Sequence, residues 1–309
     1  HVNIGITDFK GELISDELSI PFIESQPQER FKKLCEIITQ FIHKSKIPKH
    51  KILSIGINIS GRVNTLTGHS YSSFYFDERP LTEMFENELN INVSIDNDSR
   101  AMTYGEYIKG CVNGEKNVLY VNVSWGLGLG IIVGGQLYYG KSGFSGEFGH
   151  IPAFGNEILC HCGKKGCLET EASGLALHRK FLEKLHSGHS SLLTQKSGYN
   201  PNAPISLNDI IEVALQEDML AIELIEEIGN SLGKHIAGLI NLFNPELVVI
   251  GGTLAYAGDY LMLPLRSAIR KYSLNLVSKD STIKVSKLGE KAGLLGASLL
   301  ARSKFIGLI

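Results

Sequence analysis

No run of apolar residues in this 309-residue chain approaches the roughly 20 that a helix needs to cross a bilayer. The start also lacks a basic stretch followed by an apolar one, so a secretory signal is not indicated. Cytoplasm is the expected location, with no membrane partner. Charge of one sign is missing too: 30 Lys and Arg face 32 Asp and Glu, a formal net charge of −2. Without a basic excess there is no electrostatic footprint for nucleic acid, so any contact with DNA is expected from a part of the protein outside this sequence. No internal repeat of short period is found. Cysteine is scarce at 5 residues, whereas glycine is plentiful at 33, above its usual share of roughly 7%. The length suits a globular chain of two domains.

The stretch Val2-Asn3-Ile4-Gly5-Ile6-Thr7-Asp8 alternates like a strand already under way, and Lys10-Gly11 turns it into a second apolar run over 12–14. Residues upstream of His1 are therefore expected. Pro27 opens a helix over 27–46, with Phe31, Leu34, Ile37, Ile38, Phe41 and Ile42 at helical spacing. A strand over 53–59, another over 91–95 and a helix over 99–109 follow, an alternation typical of an α/β sheet. Three strands over 118–123, 127–133 and 136–139 begin a second sheet, with Gly134-Gly135 as a hairpin turn. Helices are expected at 170–187, 207–216, 219–243, 259–272 and 292–301, and strands at 247–250 and 282–286. Asn244-Pro245 should stop the longest helix, and 187–204 reads as a surface loop.

Three cysteines fall within Cys160-His161-Cys162-Gly163-Lys164-Lys165-Gly166-Cys167. That is too close for ordinary disulfides and suits a tetrahedral zinc, for which Gly163 and Gly166 let the loop curl. His161 would have to ligate between two ligating neighbours. His150, in Gly146-Glu147-Phe148-Gly149-His150, is the preferred fourth ligand. Four protein ligands leave no open position, so the metal is expected to be structural. Cys35 and Cys111 read as small apolar residues. His186 and His189 border the loop and read as exposed. The basic run from Lys44 to Lys51 reads as a solvated helix end, and Lys164 and Lys165 are expected to point outward.

Taken with Gly126-x-Gly128-x-Gly130 and with Cys167-Leu168-Glu169, these motifs resemble the ROK family of repressors, open reading frames and kinases. Asp96-Asn97-Asp98, Ser60-Gly61-Arg62-Val63 and the late strand Asn244-Pro245-Glu246-Leu247-Val248-Val249-Ile250-Gly251-Gly252 extend the resemblance over most of the chain. It implies an α/β protein of the two-lobed, actin-like (ribonuclease H-like) ATPase fold, with a sugar cleft between the lobes. The lobes are expected at 1–110 plus 292–309 and at 111–291, the second carrying the zinc loop of His150, Cys160, Cys162 and Cys167. Sugar hydroxyls both donate and accept, so they need inward-pointing carboxylates, amides and imidazole. The expected contacts are Gly61, Arg62, Asn97, Asp98, Glu147, His150 and Glu169. Glu147 and Glu169 flank the zinc loop, so the metal would fix both carboxylates. Taken alone, Asp98 could equally be the cap of the following helix.

In family members that phosphorylate sugars, the residue matching Asp98 is the general base, and two Gly-rich turns with hydroxyl side chains hold ATP phosphates and magnesium. Backbone donors and small hydroxyl residues are what phosphates require there. This chain has Ser124-Trp125-Gly126 where the kinase pattern has a threonine between glycines, and Leu129 replaces a further glycine. The family's earlier Asp-x-Gly-x-Thr strand, central to the first sheet, is not in this sequence. Trp125 could otherwise be an ordinary strand-packing aromatic, and Arg100 reads as a surface helix arginine. The resulting expectation is the effector domain of a sugar-responsive ROK regulator, a repressor, binding a hexose, an amino sugar or a sugar phosphate. DNA would be bound through an upstream domain, and the assembly would be a homodimer or homotetramer. The alternative is an ATP-dependent sugar kinase of glucokinase or N-acetylhexosamine kinase type, using ATP, magnesium and Asp98. A bare zinc-stabilised sugar binder is the third reading.

Overall fold

Apolar spacing sets the elements seen in a computed structural model of the chain, which describes residues 1–23, 26–195, 200 and 203–308. β1 (Val2–Ile4) pairs antiparallel with β2 (Leu18–Ile20). The expected partner run over 12–14 is not a strand. It makes only the Thr7–Leu13 bridge, because the Ser15 hydroxyl accepts the Ile6 amide and the pairing resumes beyond it. In α1 (Pro27–Lys44), Phe31, Leu34, Cys35, Ile38 and Phe41 form the buried stripe. β3 (Ile55–Ile59) comes next, then the two-residue ladder of β4 (Val63–Asn64) with β5 (His69–Ser70). α2 (Leu81–Leu89) precedes β6 (Val93–Asn97), which pairs parallel with β3, and α3 (Asp98–Lys109) follows without a loop.

The second sheet forms where the three strand-like runs predict it. β7 (Val118–Val123) pairs antiparallel with β8 (Leu127–Val133), and Gly134 and Gly135, both at positive φ, turn the chain into the short β9 (Gln136–Leu137). α4 (Gly174–His186) starts later than expected because residues 168–170 form a 3₁₀ turn and Ser173 supplies the cap. Part of the expected loop over 187–204 lies outside the described residues. Of the remainder, α5 (Leu192–Gln195) is a single helical turn. α6 (Leu207–Leu215) has a capping box from Ser206 and Asp209. α7 (Met219–Phe243) ends on Asn244 in the left-handed conformation ahead of Pro245. β10 (Leu247–Gly251), α8 (Asp259–Tyr272), α9 (Asn275–Asp280) and β11 (Thr282–Val285) complete a five-stranded sheet of order β11-β10-β7-β8-β9. α10 (Lys291–Phe305) packs on α3 and β3.

The chain divides into two units. Unit 1 comprises residues His1–Val112, Leu137–Ser145 and Glu290–Ile309, and unit 2 the remainder. The expected border sent all of 111–291 to the second lobe, and 137–145 departs from it. This strap is held in unit 1 by polar contacts: the Gly143 carbonyl accepts a buried hydrogen bond from Arg100, and the half-buried Tyr139 hydroxyl donates to Asp96. Each unit has its own core, around Phe31, Phe85 and Ile95 in the first and around Leu119, Phe181, Ile225 and Val248 in the second. β10, flanked by strands on both sides, is buried throughout. β3, apolar but for Asn58, is half-buried over four of five residues. Among the described residues it pairs on one side only, and a cavity of about 880 Å³, lined among others by Ile4, Ile38, Phe41 and Ile57, lies within unit 1 along it.

Candidate functional site

The Cys-rich loop curls because Gly163 and Gly166 take positive φ, and because the Cys160 and Gly163 amides close turns onto Lys164 and Cys160 carbonyls. His150 is brought to it by the 3₁₀ turn Phe148–His150. Gly146 makes that turn: at φ +88° a Cβ there would stand 2.0 Å from the Leu129 carbonyl. The donor atoms of His150, Cys160, Cys162 and Cys167 all lie within 4.8 Å of one another. Cys162 and Cys167 Sγ are 3.6 Å apart, and Cys160 Sγ lies 3.5 Å from His150 Nδ1. Bonds of about 2.3 Å to sulfur and about 2.0 Å to nitrogen in a tetrahedron require separations close to these. The four residues therefore fit one tetrahedral metal ion.

Burial pushes the Cys160 thiol up to about 12 and raises that of Cys167. Cys162 goes the other way: burial opposes it, but the Lys164 amide and the neighbouring thiols favour its thiolate. A closed cluster of this kind needs a cation to be fully ionised.

With His150 Nδ1 facing Cys160, its Nε2 points to Glu147 at 3.7 Å, and both side chains are partly exposed. His161, the rejected ligand, is exposed and lies 3.0 Å from a Glu169 oxygen. Glu169 is less open than expected. It is buried, and its other oxygen accepts the Leu127 amide at 2.9 Å, so it braces the Cys-rich loop against β8.

On unit 1, the turn over 60–63 and the β6–α3 corner meet. Gly61, at φ +97°, presents its carbonyl to Asn97 Nδ2 at 3.0 Å, and Ser60 Oγ donates to Asp98 Oδ2 at 2.6 Å. Asn97, not Asp98, caps α3, since its side chain accepts the Arg100 amide. Asp98 is the first helical residue, and its Oδ1 accepts the Ser99 amide.

Arg100 overturns the surface reading. It is 3% exposed, and its guanidinium spends every face on the interior. Nε donates to Asp96 at 2.6 Å, Nη1 to the Gly143 carbonyl at 2.6 Å and Nη2 to the Val63 carbonyl at 3.1 Å, with the Tyr139 ring beside it at 5.3 Å. One buried side chain thus joins the β6 corner, the turn that carries Gly61 and Arg62, and the 137–145 strap. Position three in a helix gives no hint of this in sequence; only the nearby Asp96 at i−4 was a signal.

At the β7–β8 turn, the Ser124 hydroxyl donates to Asn122 and accepts the Thr253 amide, while the Gly174 and Leu175 amides bond the Ser124 and Trp125 carbonyls. Trp125 is not a strand-packing aromatic. It is 51% exposed and lies against the His178 ring at 5.2 Å. Cys35 is buried as expected, whereas Cys111 lies beyond the end of α3 and is only partly buried. Among the described residues no helix is long and apolar enough to cross a membrane.

Compared with protein families, residues 1–304 match the ROK family. A glucokinase of Halalkalibacterium halodurans is 33% identical over 265 residues, which is 85% of this chain and 79% of that protein. The DNA-binding transcriptional dual regulator NagC of Escherichia coli is 28% identical over 99% of this chain and 74% of its own length. Among solved structures, a ROK family transcriptional regulator described as a homolog of the E. coli MLC protein superposes with a TM-score of 0.84 at 29% identity, over 99% of this chain and 76% of that one.

Proposed function

Because the chain belongs to the ROK family, whose two-lobed α/β fold it shares, we propose that it is the sugar-binding effector domain of a ROK-type transcriptional regulator acting as a repressor. The ligand is a hexose, an amino sugar or a phosphate of one. The groups proposed to contact it are Gly61, Arg62, Asn97 and Asp98 on unit 1, and Glu147, His150 and Glu169 on unit 2. Zinc is the metal proposed for His150, Cys160, Cys162 and Cys167, because three thiols and an imidazole in a closed tetrahedron match its preferred donors. It supplies structure here. Ligation through His150 Nδ1 leaves Nε2–H free to donate to a sugar hydroxyl or to Glu147. In this reading the protein is cytoplasmic, acts as a homodimer or homotetramer, and meets DNA through a separate domain.

The observation that carries the regulator over the kinase is the turn Ser124-Trp125-Gly126. A phosphate-holding turn needs small residues and a free hydroxyl donor; the half-exposed indole of Trp125 supplies bulk and no hydroxyl, and the Ser124 hydroxyl is already spent on Asn122. Asp98 favours the second reading, an ATP-dependent sugar kinase needing magnesium: its carboxylate is oriented by Ser60 and Ser99, as a general base requires. The test is ATP consumption by the full-length natural protein over a panel of hexoses and N-acetylhexosamines. No turnover, with sugar-dependent release of operator DNA, is the expected result. Robust turnover would replace the regulator with the kinase.

A further inference from the structure

Three exposed aromatic rings of unit 1 lie in mutual contact on its surface. Tyr71 is 42%, Tyr75 55% and Phe144 38% exposed. Tyr71 is the centre: its ring stacks on Tyr75 at 6.1 Å and 30°, and on His69 at 6.0 Å and 19°, and meets Phe144 edge-on at 5.8 Å. The group is built to stay in place. His69 bonds Thr67 through one ring nitrogen and the Glu78 carbonyl through the other. Phe144 follows Gly143, whose carbonyl is gripped by the buried Arg100.

The position of this group matters more than its size. The Tyr71 amide donates to the Arg62 carbonyl, and the neighbouring Ser72 hydroxyl accepts the Arg62 amide. The aromatic row is therefore the direct continuation of the turn over 60–63, whose Gly61 carbonyl is bonded by Asn97. The polar corner and the aromatic rings are thus tied through the backbone of Arg62, an exposed residue.

We propose that Tyr71, Tyr75 and Phe144 form a subsite for a second pyranose ring, so that the hexose or amino sugar proposed above is bound as one ring of a disaccharide. The proposal rests on the sugar-binding reading above and deepens it. A pyranose presents an apolar face of C–H groups edged by hydroxyls. The more exposed ring of Tyr75, backed by Tyr71, would cover the first, while the tyrosine hydroxyls reach the second. Tyrosine gives this contact area with little side-chain freedom to lose, and the stacked His69 fixes the central ring beforehand.

Titration calorimetry on the full-length natural protein decides it. The monosaccharide probes are glucose, galactose, mannose, xylose and N-acetylglucosamine; the disaccharides are maltose, cellobiose, lactose and N,N′-diacetylchitobiose. At least one disaccharide should bind about tenfold more tightly than its own monosaccharide. Tyr71→Ala and Tyr75→Ala should each erase most of that advantage and leave monosaccharide affinity unchanged, while Tyr71→Phe should keep most of it. Equal affinity for one ring and two, or alanine variants that keep the advantage, would overturn the subsite and leave the sugar-binding reading standing. A change of oligomeric state in Tyr71→Ala would overturn it in favour of an interface between copies. Binding of none of these sugars, nor of glucose 6-phosphate and N-acetylglucosamine 6-phosphate run alongside them, would remove both readings.

Discussion

Replacing Arg100 with leucine should be among the most damaging substitutions available to unit 1. The side chain is 3% exposed and Asp96 is 4% exposed, so Arg100→Leu leaves a buried carboxylate without its charge partner. Removing one member of a buried pair costs about 3–5 kcal/mol. Two carbonyls, of Gly143 and Val63, also lose their donors. Each would add about 1–3 kcal/mol if it stayed buried, but the strap can release Gly143 to water, so only part of this applies. A total loss of about 4 kcal/mol is expected, a large share of the roughly 5–15 kcal/mol that holds a domain folded.

The assay is hydrogen exchange of α3 and β6 amides, together with urea denaturation. A cycle with Asp96→Leu should show coupling above about 2 kcal/mol, because the double variant replaces the pair with apolar groups. The strap over 137–145 should become the first site of proteolysis in Arg100→Leu, and Arg100→Lys should be intermediate, since one ammonium cannot reach three acceptors in fixed directions. A loss under about 1 kcal/mol, or no coupling, would mean that the guanidinium is solvated and that the strap is held by something else.

Elemental analysis should find one zinc per chain; Cys162→Ser should lose it and Cys35→Ser, buried in α1, should not. Gly146→Ala should destabilise unit 2 by about 2 kcal/mol or more, measured by denaturant midpoint, because φ +88° and the Leu129 carbonyl at 2.0 Å both oppose a Cβ. Lys304 tests the sign of a burial effect. Burial lowers its pKa below the ordinary 10.5, with Asp96 opposing and Arg100 assisting the fall. Between that lowered value and 10.5 the unfolded chain binds more protons, so stability should rise with pH across this window. Lys304→Met should abolish that rise and gain stability at neutral pH; a stability that falls over the same range in the native protein would contradict it.

The parts of this molecule that were legible in sequence are those where one local rule acts alone. Strands 118–123 and 127–133 are short apolar runs in a buried sheet, Asn244-Pro245 stops a helix by backbone geometry, and the Cys-rich loop has a composition that little else explains. α2 was missed although Leu81, Phe85 and Leu89 mark a buried face at a spacing of four, because its short span sits among turn residues. Arg100 and the strap were misread for a different reason. Their partners lie 37 and 43 positions away, and a side chain joining three backbone segments leaves no periodic trace. The same holds for Glu169, where sequence supplied the residue but not that one oxygen is already committed to the Leu127 amide. Its neighbour His161, exposed and touching the other oxygen, is then the group that a hydroxyl ligand must displace to reach that carboxylate. His161→Ala should accordingly leave the metal in place and tighten sugar binding, whereas Glu169→Gln should weaken it. The opposite order of effects would remove Glu169 from the set of contacting residues and leave it as a brace for the loop.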